Sequence, residues 1–167
     1  MKRRFTISAT LTILALISAI FAAPSPTPAG GAKQLSGIGY YAEPGVCTDP
    51  EGQGASYALT LTGSLSGCHY VFVETGQCSP GGAYYESGTE IFVGTYNGQP
   101  GTFRTKYVFT AKYVDCPNLA GEVEGRCQHP FENGSGTGVF EGIKEARLDM
   151  RDDTSAGNFP YRGHILF

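Results

Sequence analysis

The sequence predicts an all-β fold, a single eight-stranded antiparallel β-barrel. Of its 167 residues, 24 are glycine, 10 are tyrosine and 10 are phenylalanine. Aromatic and β-branched residues suit the pleated surface of a sheet, and no Ala/Leu/Glu/Lys-rich run of helical type follows the N-terminal segment. Short segments of alternating polarity, separated by turn-forming residues, favour an up-and-down or mixed barrel over a sandwich. The length suits one domain with a core of its own.

The first residues of the chain are typical of a secretory signal peptide. The cationic residues Lys2–Arg4 precede an apolar run at residues 5–23, which ends in small residues. A charged start, a short hydrophobic stretch and a small-residue cleavage zone predict removal of residues 1–22. An uncleaved membrane anchor is the alternative, although serine and threonine dilute the apolar run. We therefore expect a secreted, extracellular protein with no membrane contact after signal cleavage.

The rest of the chain divides into a linker and one domain. Residues 23–34 are rich in proline and glycine and predict a disordered linker. Residues 35–167 are predicted to form the barrel. The net charge of −3 and the isoelectric point near 5.6 provide no basic footprint, so we expect no nucleic-acid partner. The sequence leaves the oligomeric state open.

Alternating polarity and turn residues predict the strands in order. Residues 35–55 lack a sustained period, and we expect an irregular segment there with a short strand at residues 38–41. The eight barrel strands are predicted at residues 57–65, 70–77, 84–96, 102–113, 121–131, 136–141, 146–152 and 160–167. Asn97 and Gly98 tolerate the positive φ values of a tight turn, which makes the third and fourth of these strands a hairpin.

A glycine-rich run precedes the C-terminal strands. Glycine recurs at positions 134, 136, 138 and 142, and Val139, Phe140 and Ile143 resume an apolar pattern. Glycine weakens an ordinary strand but allows a tight bend, a bulge or a close approach of two backbones, which sharply coiled barrel strands require. We interpret the run as strand, bend and strand, with a flexible Gly/Ser loop as the alternative.

The last third of the chain also resembles a known group of barrels. The similar segments are Gly136–Gly138, Phe140, Gly142, Ala146–Met150 and Asn158–His164, together with GTEIFVGTYNG at residues 88–98 and GRCQHP at residues 125–130. They are similar to allene oxide cyclase barrel proteins, which include plant allene oxide cyclases, dirigent proteins and an uncharacterised branch of secreted bacterial and fungal proteins, the most similar. The resemblance covers residues 57–167 and implies a closed barrel and secretion. A full set of cyclase or dirigent catalytic residues cannot be placed on this sequence.

Export makes disulfide bonds the expected role of the cysteines, which lie at positions 47, 68, 78, 116 and 127. The chain has no CxxC spacing of the kind that indicates a zinc site. Cys116 and Cys127 flank a turn and are predicted to form a disulfide that stabilises the fold by roughly 3 kcal/mol. A second bond, between Cys47 and Cys68, would tie the first loop to the barrel, which leaves Cys78 without an assigned partner.

The third predicted strand carries the main candidates for a ligand site. Glu86, Glu90 and Phe92 share one face with two glycines, and we predict that this face points into the lumen because the glycines relieve crowding there. A carboxyl group among aromatic rings has a raised pKa and can act as a general acid or base. The alternative is that the glutamates face solvent or pair with Lys106 or Arg104 on the next strand.

Three further residues are candidates for ligand contact. Tyr107 and Tyr161 are phenols on predicted inner faces, where they either orient a ligand or simply pack. His129 follows the apolar face of its strand, where a single histidine is more often a hydrogen-bonded structural group than a catalyst. His69 and His164 show no pattern that joins them to it, so we predict no metal site and no cofactor. Signatures of nucleophilic hydrolases, zinc proteases and nucleotide-binding loops are absent from the sequence.

These observations leave three functions open. The first is a secreted barrel that binds a small hydrophobic or phenolic ligand in its lumen without catalysis, because an eight-stranded barrel can be just wide enough for one such ligand. The resemblance implies the second, an isomerase-like cyclase or a dirigent-like guide that acts on an unsaturated lipid or a phenolic radical. The third is a structural extracellular barrel whose core is filled by side chains. The sequence favours the non-enzymatic functions and identifies no catalytic residues.

Overall fold

The computed structural model describes residues 31–167, which form a closed barrel of eight antiparallel strands arranged in chain order. The predicted all-β fold class is therefore confirmed. The strands are β1 (Lys33–Tyr41), β2 (Tyr57–Gly63), β3 (Leu65–Cys78), β4 (Ala83–Tyr96), β5 (Gln99–Asp115), β6 (Ala120–Pro130), β7 (Glu145–Arg151) and β8 (Phe159–Leu166). The predicted signal peptide at residues 1–22 and residues 23–30 of the predicted linker lie outside the described residues.

Pairing between β1 and β8 closes the barrel. The two strands are antiparallel, and their register runs from Lys33 opposite Ile165 to Gly39 opposite Phe159. β1 is longer than the strand predicted at residues 38–41, and its first two residues are the last two of the predicted linker. The sequence did not reveal this strand because its inner face includes glycines, which carry no side chain to display the alternation.

The segment predicted as a strand at residues 136–141 forms instead a 3-10 helix at Gly138–Phe140. The helix packs against the start of β5, where the N–H group of Thr102 donates a 3.1 Å hydrogen bond to Thr137 Oγ1. Gly138 has a φ of +56°, a left-handed conformation that glycine adopts without strain. The glycines therefore form the expected bend, but residues 136–141 supply no strand of the barrel. β1 takes the place of that predicted strand.

Buried apolar side chains fill one half of the lumen, and three phenylalanine rings are among them. Phe92, Phe103 and Phe140, here called the aromatic plug, are at most 1% exposed. The ring centroids of Phe92 and Phe103 lie 4.9 Å apart in a stacked arrangement, and Phe140 meets Phe103 edge-on, also at 4.9 Å. Each such pair stabilises the fold by about 0.5–1.5 kcal/mol beyond the burial of its area. The plug thus makes this half of the barrel a packed core.

Two disulfide bonds connect distant parts of the chain. Cys47 and Cys68 are bonded as predicted. The predicted bond between Cys116 and Cys127 is wrong, because Cys116 pairs with Cys78 and Cys127 is a buried free thiol. The reason lies in the direction of the side chains: Cys127 points from β6 into the lumen, whereas Cys116 follows the end of β5 and lies beside the end of β3.

Candidate functional site

The inner face of β4 carries the centre of the site. Glu90 is 1% exposed and Phe92 is fully buried, so the predicted face does point into the lumen. Arg104 and Lys106 on β5 are exposed, and neither forms an ion pair with a glutamate of β4 within the described residues. The alternative that these glutamates pair with basic residues on the neighbouring strand therefore does not hold.

Glu90 is contacted by side chains from three other strands. Its Oε2 atom accepts a 2.5 Å hydrogen bond from Thr105 Oγ1 on β5 and lies 2.7 Å from His129 Nδ1 on β6. His69 Nε2, on β3, lies 3.2 Å from the same oxygen. All four side chains belong to residues at most 2% exposed. Burial favours the neutral acid, but attraction to His129 and His69 outweighs it and lowers the pKa of Glu90 below its usual value.

Both imidazole rings keep a nitrogen atom without a partner. His129 Nε2 and both ring nitrogens of His69 are buried and form no hydrogen bond with any of residues 31–167. The two rings meet edge to face, with their centroids 5.6 Å apart. Because Nδ1 of His129 faces the carboxylate, its Nε2 atom is the one that can exchange a proton with another group. The trio of Glu90, His69 and His129 can therefore hold and transfer a proton.

Among the described residues, the same trio also forms a group of potential metal ligands. One donor atom of each residue lies within 4.8 Å of the others, a convergence that the sequence analysis did not predict. Two ligands of a tetrahedral zinc ion lie about 3.3 Å apart when the zinc–nitrogen distance is about 2.0 Å. His129 Nδ1 and Glu90 Oε2 are closer, at 2.7 Å, the distance of a charge-assisted hydrogen bond. His129 and Glu90 are thus joined by a hydrogen bond, and His69 Nε2 lies 3.2 Å from the same oxygen.

Phenol groups hold a second carboxylate, Glu86. Tyr107 and Tyr84 each donate a 2.8 Å hydrogen bond to it, and Tyr57 donates a longer one of 3.4 Å. Both carboxylate oxygens act as acceptors, as expected for the ionised form. Burial, followed by the hydrogen bond to Glu86, raises the pKa of Tyr84 to about 12 and also raises that of Tyr107. The phenols therefore stay protonated and keep donating at neutral pH.

A cavity of about 300 Å³ occupies the other half of the lumen, here called the open half. Its volume lies at the lower end of the range for ligand pockets, roughly 300–1,000 Å³. Glu86, Glu90 and His129 line it. Its aromatic lining consists of Tyr41, Tyr57, Tyr84, Phe109, Tyr113 and Phe159. Tyr41 is 63% exposed and Leu119 is 49% exposed, so the cavity opens to solvent beside these two residues, at what we call the mouth.

Two further carboxyl groups, those of Glu122 and Asp152, lie side by side in the cavity wall. Position 125 on β6 is glycine, and a Cβ atom there would collide with Asp152 Oδ2 and Glu122 Oε1. Glu122 Oε1 has no donor among the described residues unless Asp152 is protonated. Burial and the hydrogen bond with Glu122 raise the pKa of Asp152 to about 8. The pair therefore shares a proton at neutral pH and carries about one negative charge.

The structure separates the six predicted site residues by role. Three of them line the cavity: Glu86, Glu90 and His129. Tyr107 lies behind Glu86 and positions it through its hydrogen bond. Phe92 belongs to the aromatic plug. The hydroxyl of Tyr161 bonds to the backbone at the turn between β2 and β3, where it accepts at 2.9 Å and donates at 3.0 Å. Tyr161 is therefore a structural residue.

Sequence reasoning missed several residues of the site, namely His69, Tyr57, Tyr84, Glu122 and Asp152. The signal for His69 was present but hidden by a strand boundary. The sequence predicts a strand that begins at residue 70, whereas β3 begins at Leu65 and places His69 opposite Phe92 of β4. Extending the alternation back to Leu65 puts His69 on the same inner face as Val71.

Comparison with known proteins gives no assignment: no protein-family model, no curated protein and no solved structure matches this chain. Within residues 31–167, none of the helices has the length and apolar character needed to cross a membrane. Fold and site together define a closed eight-stranded barrel with one half packed and the other half hollow.

Proposed function

We propose that this protein is a secreted binder of a small organic molecule, which it holds in the open half of its lumen without changing it chemically. The observation that carries the proposal is the cavity of about 300 Å³ inside a closed barrel. An eight-stranded barrel either fills its interior with side chains or leaves room for one small ligand. The aromatic plug fills only part of this interior, and the space that remains has the size of a ligand.

The chemistry of the cavity wall supports binding. Besides the aromatic rings, its apolar lining consists of Leu59, Val71, Val73, Leu119 and Met150. Ligand sites typically combine such a wall with a few convergent polar groups, a role that Glu86, Glu90 and His129 fill here. The two disulfide bonds fit an extracellular protein. The resemblance to allene oxide cyclase barrel proteins supports the same type of lumenal site.

A cavity-filling variant tests the proposal. Val73 lines the cavity, so Val73→Phe should occupy part of it and weaken binding of the neutral probe N-phenyl-1-naphthylamine by about tenfold or more. Val108, on the outer face of β5, is 49% exposed, and Val108→Phe is the matched control that should bind like the wild type. Fluorescence titration measures both. A wild-type protein that binds no probe, and that carries no small molecule in native mass spectra after purification from its secretion medium, would refute the proposal.

The pair of Glu90 and His129 favours one second candidate, an isomerase-like enzyme. Both residues line the cavity, and the Nε2 atom of His129 has no partner within the described residues. A base in that position can remove a proton from a bound unsaturated or phenolic molecule and return it elsewhere on the same molecule. Incorporation of deuterium from heavy water into a bound ligand, lost in His129→Gln while the ligand still binds, would support catalysis. Binding without any exchange would support the purely binding function.

A further inference from the structure

We propose that the ligand of this cavity is a small organic cation, an amine or a quaternary ammonium compound. The inference rests on the proposed function and narrows its ligand class. The cavity wall contains four carboxyl groups, those of Glu86, Glu90, Glu122 and Asp152, and no lysine or arginine. Such a wall attracts cations and repels carboxylates.

Glu86 supplies the strongest reason. It is a half-buried carboxylate whose hydrogen bonds all come from neutral phenols, and no ion pair among residues 31–167 involves it. A carboxylate that is partly withdrawn from water and has no counter-charge costs folding free energy. Glu90 differs, because His69 and His129 lie beside it. Glu86 is thus an anion in the cavity wall without a counter-charge. A cationic ligand would supply that counter-charge and offset the free-energy cost of withdrawing the carboxylate from water.

The aromatic lining is suited to the same class of ligand. Tyr41 lies edge-on to Phe159 and to Tyr57, with ring centroids 5.0 and 5.9 Å away, and Tyr84 lies edge-on to Tyr113 at 5.8 Å. Rings set at steep angles to one another form the walls of an aromatic cage, in which the negative faces of the rings attract a cation. Quaternary ammonium groups are bound in this way because they cannot donate hydrogen bonds.

The pair of Glu122 and Asp152 extends the negative charge along the cavity wall. Neither residue forms an ion pair within the described residues, although Arg126 and Arg151 lie on the outer side of the barrel near Asp152. At neutral pH the shared proton leaves about one negative charge on the pair. A cation that enters the cavity therefore meets two separate anionic groups, while a fatty-acid carboxylate is repelled by both.

Three ligands of similar size and different charge provide the test. Benzyltrimethylammonium is the cation, 2,2-dimethyl-1-phenylpropane is its neutral isostere and 3-phenylpropionate is the anion. Calorimetry, or displacement of the neutral probe, should show that the wild-type protein binds the cation about tenfold or more tightly than the neutral isostere, and the anion least. Glu86→Gln should remove most of that preference, whereas Glu124→Gln, an exposed residue of β6, should leave it unchanged.

The outcomes separate this inference from the proposed function. If the probe or the neutral isostere binds while the cation does not bind more tightly, the ligand is not a cation, but the binding function stands. If neither the probe nor any of the three ligands binds, the proposed function itself fails, and this inference fails with it. The comparison among ligands uses the wild-type protein, so it is decisive even if Glu86→Gln does not fold.

Discussion

The Nδ1 atom of His129 lies 2.7 Å from Glu90 Oε2, and both residues are at most 2% exposed. This contact lies where the aromatic plug ends and the cavity begins, since Glu90 and His129 line the cavity and Phe92 lies two residues along β4 in the plug. A hydrogen-bonded pair at such a boundary has two effects. It satisfies a carboxylate that is out of reach of water, and it limits how far the packed half can extend into the open half.

Replacing Glu90 by glutamine should destabilise the fold by about 3–5 kcal/mol, because the substitution removes the buried carboxylate oxygen on which the hydrogen bonds of Thr105 and His129 converge. Urea unfolding at neutral pH measures the loss. Glu124→Gln is the control, since Glu124 is exposed, and it should change the free energy of unfolding by less than about 0.5 kcal/mol. Equal effects of the two substitutions would contradict this account of Glu90.

Glu90→Gln should also change how the free energy of unfolding depends on pH in the acid range. The pKa of Glu90 is lowered in the folded protein, so its stabilising contribution is complete above the ordinary value of 4.5 and is lost as the pH falls from there towards the folded value. The wild-type protein should therefore lose more stability than Glu90→Gln between neutral pH and about pH 3. A series of urea unfolding curves across this range checks the prediction, and parallel losses would argue against it.

Asp152→Asn should stabilise the protein in alkaline solution. The pKa of Asp152 is raised from 3.8 to about 8, so the folded state holds a proton that the unfolded chain releases, and stability falls as the pH rises between these values. Asparagine carries no charge at any pH. Its advantage over aspartate in melting temperature should be largest above about pH 8 and should vanish near pH 4. Glu74→Gln, at an exposed position of β3, should show no such trend.

Removing the disulfide bond between Cys78 and Cys116 should lower the free energy of unfolding by about 4 kcal/mol, because the bond closes a loop of 38 residues in the unfolded chain. The double substitution to serine, followed by chemical denaturation, measures this loss. Peptide mapping of the unreduced protein should recover Cys78 joined to Cys116 and Cys47 joined to Cys68. A peptide that joins Cys116 to Cys127 would refute the pairing described above.

Cys127 should behave as an inert thiol in the native protein. It is buried, and burial together with the nearby Glu90 carboxylate raises its pKa, so little reactive thiolate is present. A thiol reagent should label the folded chain slowly and the denatured chain fully, at one thiol per molecule. Rapid labelling without denaturant would mean that the lumen is far more accessible than its structure indicates.

Phe140→Ala should destabilise the fold by about 3–5 kcal/mol, since it removes a fully buried ring from the aromatic plug. Val139→Ala, at the half-buried neighbouring position, should cost clearly less. Binding of the neutral probe should survive in Phe140→Ala wherever the variant is folded, because Phe140 does not line the cavity. Loss of binding by the folded variant would show that the two halves of the lumen are not independent.

Alternating polarity in the sequence predicts the strands, such as β4, whose two faces carry different side chains. On β4 it places Glu90 and Phe92 on the inner face. The glycines of that face allow β3 to approach closely, because a Cβ atom at Gly88 or Gly94 would collide first with a backbone oxygen of β3 and only then with the ring of Tyr107 or Phe92. Local sequence suffices in such strands because side chains alternate between two faces with a fixed period.

Other features depend on contacts that local sequence does not record. Cys116 lies closer in sequence to Cys127 than to Cys78, yet the ends of β3 and β5 bring Cys78 to it. The shared proton of Glu122 and Asp152 requires β6 and the residue that follows β7 to meet at Gly125, which no pattern within either segment reveals. Closure of the barrel brings such residues together although they are far apart in the sequence.

The disulfide between Cys78 and Cys116 has a consequence for exchange kinetics. Cys116 packs with Tyr84 and Tyr113, which also line the cavity, so the bond fastens part of the wall close to where Leu119 is exposed. Because phenylalanine rings fill the opposite end, a ligand bound as proposed would leave by the route it took on entry. Reducing that one covalent link should therefore speed departure, and residence time inside the protein would follow the oxidising strength of its surroundings.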